Sequence, residues 1–396
     1  MNLTGMMREK TFNFDEIIDR RGTSSVKWDE NPDVDFPLWV ADMDFRAAPA
    51  ITEALGARLR HGVFGYATAS DSFYEAVTQW HLRRHGVEYR REWMILVPGV
   101  VPALSAVLRA MTSPGQGVLM LTPVYNCFFS SVRNMGCRTE ECALLRRGDS
   151  FAIDYDDLER RAAKDDVRVM MLCSPHNPSG RMWTEGELRR VADICRRNGV
   201  FVLVDEIHCE LAMPGHTFVP YASLGEPYLQ SCCICTAASK CFNIAGLQCS
   251  QVIVPNAGLR SRIDRAVNVH EVCDVGPLGL LATEAAYRGG EPWLDELLPY
   301  LWQNYTAVRQ LLRDECPALG VCDLEATYLM WIDVRATGLT SEAFCQRLRA
   351  EHGVRLCPGT MYGADGEGYV RLNLASPRRL VLDGAARMAR FAASLI

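Results

Sequence analysis

Short apolar runs alternate with amphipathic segments along the first three quarters of the chain. The runs at 117–121, 167–173 and 200–205 are almost continuously apolar, which predicts strands buried on both faces. The segments 73–84 and 185–198 instead repeat apolar residues at helical spacing. Strands that alternate with helices predict a parallel sheet covered by helices on both faces, which is the α/β fold class.

The last hundred or so residues follow a different pattern, in which two helical segments flank alternating strands. We predict these helices at 292–316 and 378–395, and strands at 328–334 and 369–374. A chain of 396 residues exceeds a single simple core, so more than one domain is expected. We expect three parts: an N-terminal arm (1–45) that joins the small domain, a large domain (46–285) and a small α+β domain (286–396).

The composition is that of an ordinary globular protein, with 48% hydrophobic and 23% charged residues. A formal net charge of −6 argues against nucleic acid as the main partner. No apolar run approaches the roughly 20 residues that span a bilayer, so no membrane segment is expected. Residues 1–10 lack the apolar core of a signal peptide, and we therefore expect a cytoplasmic location.

Lys240 lies in a run of small and apolar residues, between a strand-like segment and Gly246. A hydrated ammonium group is costly to bury in such surroundings. Desolvation lowers the pKa of a lysine and leaves the free amine that forms a Schiff base. By itself Lys240 could equally cap a turn or extend to solvent.

Three other polar side chains lie in or beside predicted strands. Asn177 follows the strand at 167–173, Asp205 ends a buried strand, and Arg371 lies in a late strand. In open α/β sheets ligands bind outside the carboxyl ends of the strands. Together with Lys240, these groups suit pyridoxal 5'-phosphate (PLP): a lysine to bind it covalently, an aspartate for the pyridinium nitrogen, an asparagine for the ring oxygen and an arginine for a substrate carboxylate.

Several longer segments carry a resemblance to a known family. They include FNFDEIIDRRGT (12–23), SVKW (25–28), LWVADMDF (38–45), FGY (64–66) and the stretch from 174 through DEIH (205–208) to Lys240. In these segments the chain resembles the MalY/PatB group of cystathionine β-lyases, within the fold-type I PLP-dependent aminotransferase superfamily. The resemblance covers nearly the whole chain and implies a large PLP-binding domain, a smaller α+β domain and a homodimer.

The resemblance assigns five residues to the ring of the cofactor. Lys240 would be the covalently bound lysine, Asp205 the partner of the pyridinium nitrogen and Asn177 a donor to the ring oxygen. His208 would lie near the same oxygen, where many aminotransferases have a tyrosine. Tyr125 matches the aromatic residue that stacks on the ring.

The resemblance also implies how the phosphate is held. The N–H groups of Val100 and Val101 open a predicted helix and would bind it, with the Ser239 hydroxyl beside them. Tyr66 matches a tyrosine that reaches the phosphate from the partner subunit, which implies active sites shared across the dimer. Many aminotransferases place a phosphate-binding arginine eight residues after the lysine, but Gln248 stands there. This departure agrees with the lyase group.

The substrate is expected to contact two further residues. The resemblance implies that Arg371 binds the substrate α-carboxylate. Asp42 could either face the substrate or only support packing. In the arm, Arg20 and Arg21 could hold it against the partner subunit or form a solvated charge run.

We therefore expect a PLP-dependent carbon–sulfur β-lyase that converts cystathionine, cysteine or other S-substituted cysteines to a thiol, pyruvate and ammonia. A PLP-dependent aminotransferase is the main alternative, because it uses the same residues. A biosynthetic C–S lyase with a specialised substrate, or a regulatory protein that keeps the fold, are further hypotheses.

Sixteen cysteines are many for this length, but they are scattered and predict no disulfide framework. Cys232 and Cys235 have the CxxC spacing, yet they also fit a buried strand. No second CxxC or nearby histidine pair completes a zinc site, so no metal is expected. Cys209 and Cys241 adjoin candidate site residues and are expected to make the protein sensitive to thiol reagents.

Overall fold

A computed structural model describes residues 11–30, 32–270 and 274–396. Its helices are α1 (Val26–Asp29), α2 (Pro49–His61), α3 (Asp71–His85), α4 (Val100–Met111), α5 (Asn126–Asn134), α6 (Tyr155–Ala162), α7 (Glu185–Arg197), α8 (Ala257–Asn268), α9 (Pro277–Gly289), α10 (Glu291–Glu315), α11 (Ser341–His352) and α12 (Arg378–Ala393). Within these ranges, no helix has the length and apolar character needed to cross a membrane. The prediction about a signal core concerns residues 1–10, which lie outside the described residues, as does the first part of the predicted arm.

The strands of the described residues form two larger and two small sheets. They are β1 (Phe36–Pro37), β2 (Met94–Val97), β3 (Gly117–Thr122), β4 (Arg138–Ala143), β5 (Leu145–Arg147), β6 (Ser150–Ala152), β7 (Val167–Cys173), β8 (Phe201–Asp205), β9 (Cys232–Thr236), β10 (Ser250–Ile253), β11 (Gly320–Val321), β12 (Leu329–Asp333), β13 (Val354–Arg355), β14 (Cys357–Pro358) and β15 (Tyr369–Asn373). The strands and helices predicted from the sequence are found within a few residues of their expected bounds.

The central sheet has seven strands in the order β2-β10-β9-β8-β7-β3-β4. The strands from β9 to β4 are parallel to one another, whereas β10 is antiparallel to both of its neighbours. Two neighbouring parallel strands need a long crossover connection between them, which usually contains a helix. The segment between β9 and β10 contains no α-helix, in agreement with their antiparallel pairing. The mostly parallel sheet that the sequence predicts is thus confirmed, with β10 as the exception.

Helices cover both faces of this sheet, as predicted. Alternate side chains of β3 enter two separate apolar cores: Leu119 and Leu121 pack in one, and Val118 and Met120 in the other. Helices α4, α5 and α8 contribute to the second core, and α2, α3, α6, α7 and α9 to the first. Burial on both faces explains why these strands appear in the sequence as continuous apolar runs.

The second sheet lies in the C-terminal part, with the order β11-β12-β15-β14 and antiparallel pairing throughout. Helices α10 and α12 pack against each other beside it. The predicted strands 328–334 and 369–374 correspond to β12 and β15. The proposed domain boundary at 285 falls inside α9, and the division into three parts stays a prediction.

Residues 38–45, which we call the bridging segment, contain no helix or strand. Side chains from other parts of the chain satisfy their backbone groups instead. The amide of Asn373 in β15 donates to Val40 O at 2.5 Å and Asp42 O at 2.7 Å. The amide of Asn243, beyond β9, donates to the carbonyl oxygens of Met43 and Phe45 at 2.9 and 3.0 Å. The segment therefore links the two larger sheets.

A buried ion cluster anchors the end of the bridging segment. The Asp44 carboxylate accepts hydrogen bonds from Lys27 Nζ at 2.7 Å, Trp28 Nε1 at 2.9 Å and Ser376 Oγ at 2.5 Å. Arg20 also pairs with Asp44, at 2.7 Å. Lys27 is completely buried, so Asp44 is the counterion that makes its burial possible.

The ion cluster corrects the expectation for Arg20. The guanidinium is neither a solvated charge nor free to pair with another subunit, because it bonds Asp42 and Asp44 of its own chain, each at 2.7 Å. Arg21 lies over the ring of Trp28, with its guanidinium carbon 4.7 Å from the ring centre. Both arginines thus contact residues within the arm itself.

Replacing Lys27 with Met should destabilise the protein by about 3–5 kcal/mol, because it leaves a buried carboxylate without its main partner. Burial raises the pKa of Asp44, but the Lys27 ammonium, together with the hydrogen bonds from Ser376 and Trp28, lowers it from 3.8 to about 2. A pKa that is lower in the folded state stabilises the protein above pH 4 or so. This stabilisation should be lost as the pH falls from about 4 to 2.

Urea denaturation of the parent and Lys27→Met at several pH values measures both effects. Arg46→Met is the matched control, because it breaks an exposed ion pair with Glu16 and should change the free energy of unfolding little. Equal stability of Lys27→Met and the parent at pH 7 would contradict the anchoring role.

Asn373→Asp should destabilise the protein by about 1–3 kcal/mol, because an isosteric acceptor replaces the donor that two carbonyl oxygens share. Asn268→Asp changes an exposed amide in the same way and serves as the control. Denaturant unfolding compares the two variants with the parent. If Asn373→Asp and Asn268→Asp change the free energy of unfolding by the same amount, the amide of Asn373 does not hold the bridging segment.

Candidate active site

A cavity of about 230 Å³ lies at the carboxyl ends of β7 and β8, beside the start of α4. Most of the site residues predicted from the sequence line this cavity. The predicted residues that line it are Val100, Val101, Tyr125, Asn177, Asp205, His208, Ser239 and Lys240. Gln248 lines it as well. A larger cavity of about 720 Å³, between residues 11–15 and α10, contains none of the predicted residues.

Lys240 enters the cavity from the turn that follows β9. Its Nζ atom donates to the carbonyl oxygen of Ala41 in the bridging segment, at 2.7 Å. Burial and the charge of Arg371 lower the pKa of Lys240, although Asp42 and Asp205 act in the opposite direction. The amine is therefore more readily deprotonated than an ordinary lysine, in agreement with the desolvated environment predicted from the sequence.

Asp205 ends β8 with its carboxylate buried at the cavity. Its Oδ1 atom accepts one hydrogen bond, from Ile207 N at 3.1 Å. Burial raises the pKa of Asp205 to about 6, against the effects of that hydrogen bond and of Lys240. A cationic N–H group in the cavity would stabilise the ionised carboxylate.

His208 is buried next to Asp205 in the turn after β8. Burial and the nearby Lys240 and Arg371 charges lower its pKa to about 3, so the imidazole is neutral at pH 7. Its Nδ1 atom has no hydrogen-bond partner. The cavity thus contains a neutral, unsatisfied polar group that a bound molecule could pair with.

Arg371 lies in β15, at the edge of the site, and is held on several sides. Its terminal nitrogens donate to Asn177 Oδ1 at 3.1 Å and Trp39 O at 2.9 Å. The ring of Tyr362 lies 4.9 Å from the guanidinium carbon. In the described ranges no carboxylate lies within ion-pair distance of this buried cation. A buried charge without a counterion favours the binding of an anion.

The first turn of α4 is also suited to an anion. Its N-cap residue, Gly99, provides no side-chain hydrogen bond to the free N–H groups of Val100 and Val101. Both residues line the cavity, as Ser239 does. A helix N-terminus without a cap carries partial positive charge and unpaired donors, which together bind phosphate groups.

Three predicted residues do not line the cavity: Arg371, which lies at its edge, Tyr66 and Asp42. Tyr66 is fully exposed, in a segment without helix or strand between α2 and α3. Asp42 pairs through its carboxylate with Arg20 at 2.7 Å and lies 3.7 Å from Lys27 Nζ. The roles of Asp42 toward the substrate and of Tyr66 in a partner subunit therefore stay predictions.

The buried cysteines correct another expectation. Cys209 and Cys241 are almost completely inaccessible, and burial raises the pKa of both thiols well above the usual value. Neither is accessible to a thiol reagent in the folded protein. Cys232 and Cys235 lie in β9 with every neighbour buried, which confirms the strand interpretation of the CxxC spacing.

Sequence reasoning missed the groups that position Arg371. Tyr362 lies in a short turn after β14 that gave no periodic signal, and Trp39 contributes a backbone oxygen rather than its side chain. Asn243 and Asn373 were missed in the same way. Asn373, two residues after Arg371 in the same predicted strand, was the one feature of the sequence that could have indicated these supporting groups.

The Aminotransferase class I and II family model matches residues 38–387. Cystathionine beta-lyase PatB of Bacillus subtilis is 40% identical over 381 residues, which are 95% of this chain and 98% of that protein. Protein MalY of Escherichia coli is 34% identical over 95% of this chain and 97% of its own. Among solved structures, cystalysin from Treponema denticola, which contains a pyridoxal 5'-phosphate cofactor, has a TM-score of 0.95 at 32% identity, covering 98% of this chain and 100% of that one.

These matches extend over nearly the full length of the chain and include the segments that surround the cavity. The resemblance stated from the sequence is confirmed by them, as is the fold. The chain belongs to the aminotransferase class I and II family and, within it, to the MalY/PatB group of cystathionine β-lyases.

Proposed function

We propose that the protein is a PLP-dependent carbon–sulfur β-lyase. The observation that carries this proposal is one cavity lined by Lys240, with its lowered pKa, and by the buried Asp205, with the buried Arg371 close enough to lower the pKa of Lys240. Relatives named cystathionine β-lyase support the same reaction. Cystathionine, cysteine and other S-substituted cysteines are the substrate class.

The residues of the cavity fit PLP. The uncapped first turn of α4 and Ser239 would hold its phosphate, Asp205 its ring nitrogen, and Lys240 its aldehyde carbon. Tyr125 and Asn177 would contact the ring face and the ring oxygen. When bound, PLP draws electrons away from the α-carbon of an amino acid.

The protein's own groups then account for the remaining requirements of β-elimination. Arg371 binds the substrate carboxylate, and its orientation is set by Asn177 Oδ1 and Trp39 O. Lys240, as a free amine, removes the proton from Cα. The bond between Cβ and sulfur then breaks and a thiol leaves. The remaining three-carbon fragment is hydrolysed to pyruvate and ammonia.

We propose further that the protein is a homodimer in which Tyr66 reaches the phosphate in the partner's site. Tyr66 does not line the cavity of its own chain and is fully exposed. Leu59, Val63 and Phe64, close to it in sequence, are large apolar residues that are more than half exposed. Exposed apolar residues clustered in this way are typical of an interface.

An aminotransferase remains the alternative reaction, because Lys240 and Asp205 would serve it equally. Gln248 lines the cavity at the position where many aminotransferases have a phosphate-binding arginine. Its neutral side chain is the feature that favours the lyase. A specialised biosynthetic C–S lyase differs only in its substrate.

The purified holoenzyme should release pyruvate, ammonia and a thiol or sulfide in equal amounts from L-cystathionine or L-cysteine, without a keto acid. Lys240→Ala should abolish both this activity and the visible absorbance of the lysine-bound cofactor. Lys164→Ala, at a partly exposed lysine, is the control and should retain both. Amino-group transfer that requires an added keto acid, with no pyruvate in its absence, would identify an aminotransferase instead.

Arg371→Ala should lower kcat/KM for amino acid substrates by an amount equivalent to about 2–5 kcal/mol, mainly through a higher KM. Arg371→Lys keeps the charge but loses the planar fork of the guanidinium, so its kcat/KM should lie between those of the parent and Arg371→Ala. Arg387→Ala, which removes a partly exposed arginine paired with Asp35, is the control. An unchanged KM in Arg371→Ala would mean that another group binds the carboxylate.

A further inference from the structure

A second cluster of polar side chains lies buried between α3 and the turn after β8. His81 and His85 are one helical turn apart on α3, and Glu210 is two residues beyond His208. One ring nitrogen from each histidine and one carboxylate oxygen lie within 4.8 Å of one another. This is the only such group of histidine, cysteine or acidic side chains among the residues that the structure describes.

We propose that His81, His85 and Glu210 form a binding site for a divalent transition-metal ion, of which Zn²⁺ fits the donor set best. Two imidazoles and a carboxylate are a common ligand set for Zn²⁺, and histidines at positions i and i+4 present both rings on one face of a helix. This inference does not rest on the proposed lyase activity.

The state of the three side chains supports a ligand. His81 is 2% exposed, and its Nε2 atom has no hydrogen-bond partner. The Oε2 atom of Glu210 is also buried without a hydrogen bond. Buried polar atoms are nearly always satisfied, so the unpartnered Nε2 of His81, beside a Glu210 Oε2 that has only an ion-pair contact with Arg84 at 3.6 Å, indicates a missing partner.

The geometry requires only small adjustments to accept an ion. His85 Nε2 and Glu210 Oε1 are 2.7 Å apart and share a hydrogen bond. Zn–ligand distances near 2.1 Å place donor atoms roughly 3.4 Å apart in a tetrahedral site. Side-chain movements of roughly 1 Å would lengthen the distance between His85 Nε2 and Glu210 Oε1 and shorten the longest of the three donor–donor distances. Trp80 Nε1, which donates to Glu210 Oε1 at 2.6 Å, would orient the carboxylate.

The nearest fixed cation is Arg84, whose Nε atom lies 3.6 Å from Glu210 Oε2. Its charge is shared with Glu291 at 3.2 Å and Asp295 at 2.8 Å, and Glu291 also pairs with Arg83. The two arginines thus face three carboxylates. One of these carboxylates is the ligand Glu210 itself, and the other two balance the two arginines, so the charge of Glu210 remains available to a bound cation.

The sequence prediction of no metal site considered only histidines near the CxxC spacing. The pair at 81 and 85 was overlooked because its third ligand lies 125 residues beyond His85. A bound ion would connect α3 directly to the turn that carries His208. It should therefore raise the thermal stability of the protein as well as occupy the site.

The test uses untagged holoenzyme, treated with a chelator and then equilibrated with Zn²⁺ under reducing conditions. After removal of free metal, the parent should contain about one Zn²⁺ per chain more than Glu210→Gln or His85→Gln. Each variant should bind that ion at least about 100-fold more weakly. Zn²⁺ should raise the melting temperature of the parent but not that of the variants. His61→Gln, which removes an exposed histidine from α2, is the control and should match the parent.

Equal zinc content in the parent and both variants would overturn the proposal, because thiols or surface groups would then hold the metal. A parent that binds no Zn²⁺ and shows no shift in melting temperature would overturn it as well. That second measurement needs no variant, so the test does not depend on whether Glu210→Gln folds.

Discussion

The backbone of the bridging segment, residues 38–45, must have its polar groups satisfied although it belongs to neither larger sheet. A buried carbonyl without a donor is unfavourable by an amount comparable to a lost hydrogen bond. Most of the donors are side chains: Asn373 and Arg371 from β15, and Lys240 and Asn243 from the region between β9 and β10. The backbone N–H of Asn373 donates to Leu38 O as well. The groups that define the cavity are therefore held by the same segment that joins the two sheets.

This arrangement distinguishes two buried cations among the described residues. Lys27 has a carboxylate partner, Asp44, and is a permanent part of the structure. Arg371 instead donates to neutral carbonyl and amide oxygens. These bonds fix the position of Arg371 without neutralising it, so its countercharge must come from a molecule that enters the site. An anionic phosphate and a substrate carboxylate meet that requirement, and donors already in place need not reorganise when they bind.

The elements of the central sheet were predictable because both faces are buried. A strand such as β7 or β8 is almost continuously apolar, and its ends are visible in the sequence. Asp205 and Asn177 were found for the same reason, since Asp205 is the last residue of one such run and Asn177 lies four residues after the end of another. The side-chain hydrogen bonds that hold the bridging segment beside the site were not predictable from the sequence. Asn243 and Asn373 act on residues about 200 and 330 positions away, and no local periodicity encodes a contact of that separation.

The turn after β8 shows how one short segment serves two sides of the sheet. Asp205 and His208 face the cavity, whereas Glu206 and Glu210 point into the packed interior. Glu206 accepts a hydrogen bond from Tyr221 N at 2.7 Å, and Glu210 one from Trp80 Nε1 at 2.6 Å. Burial raises the pKa of Glu206 to about 8, so a proton can be retained there near neutral pH. Glu206 and Glu210 bind the turn to the packed interior. Asp205 and His208 are therefore held in place largely by the hydrogen bonds of these two neighbouring acids. Glu206 and Glu210 thus support the cavity through packing and hydrogen bonds, in addition to belonging to the segment that carries the family resemblance.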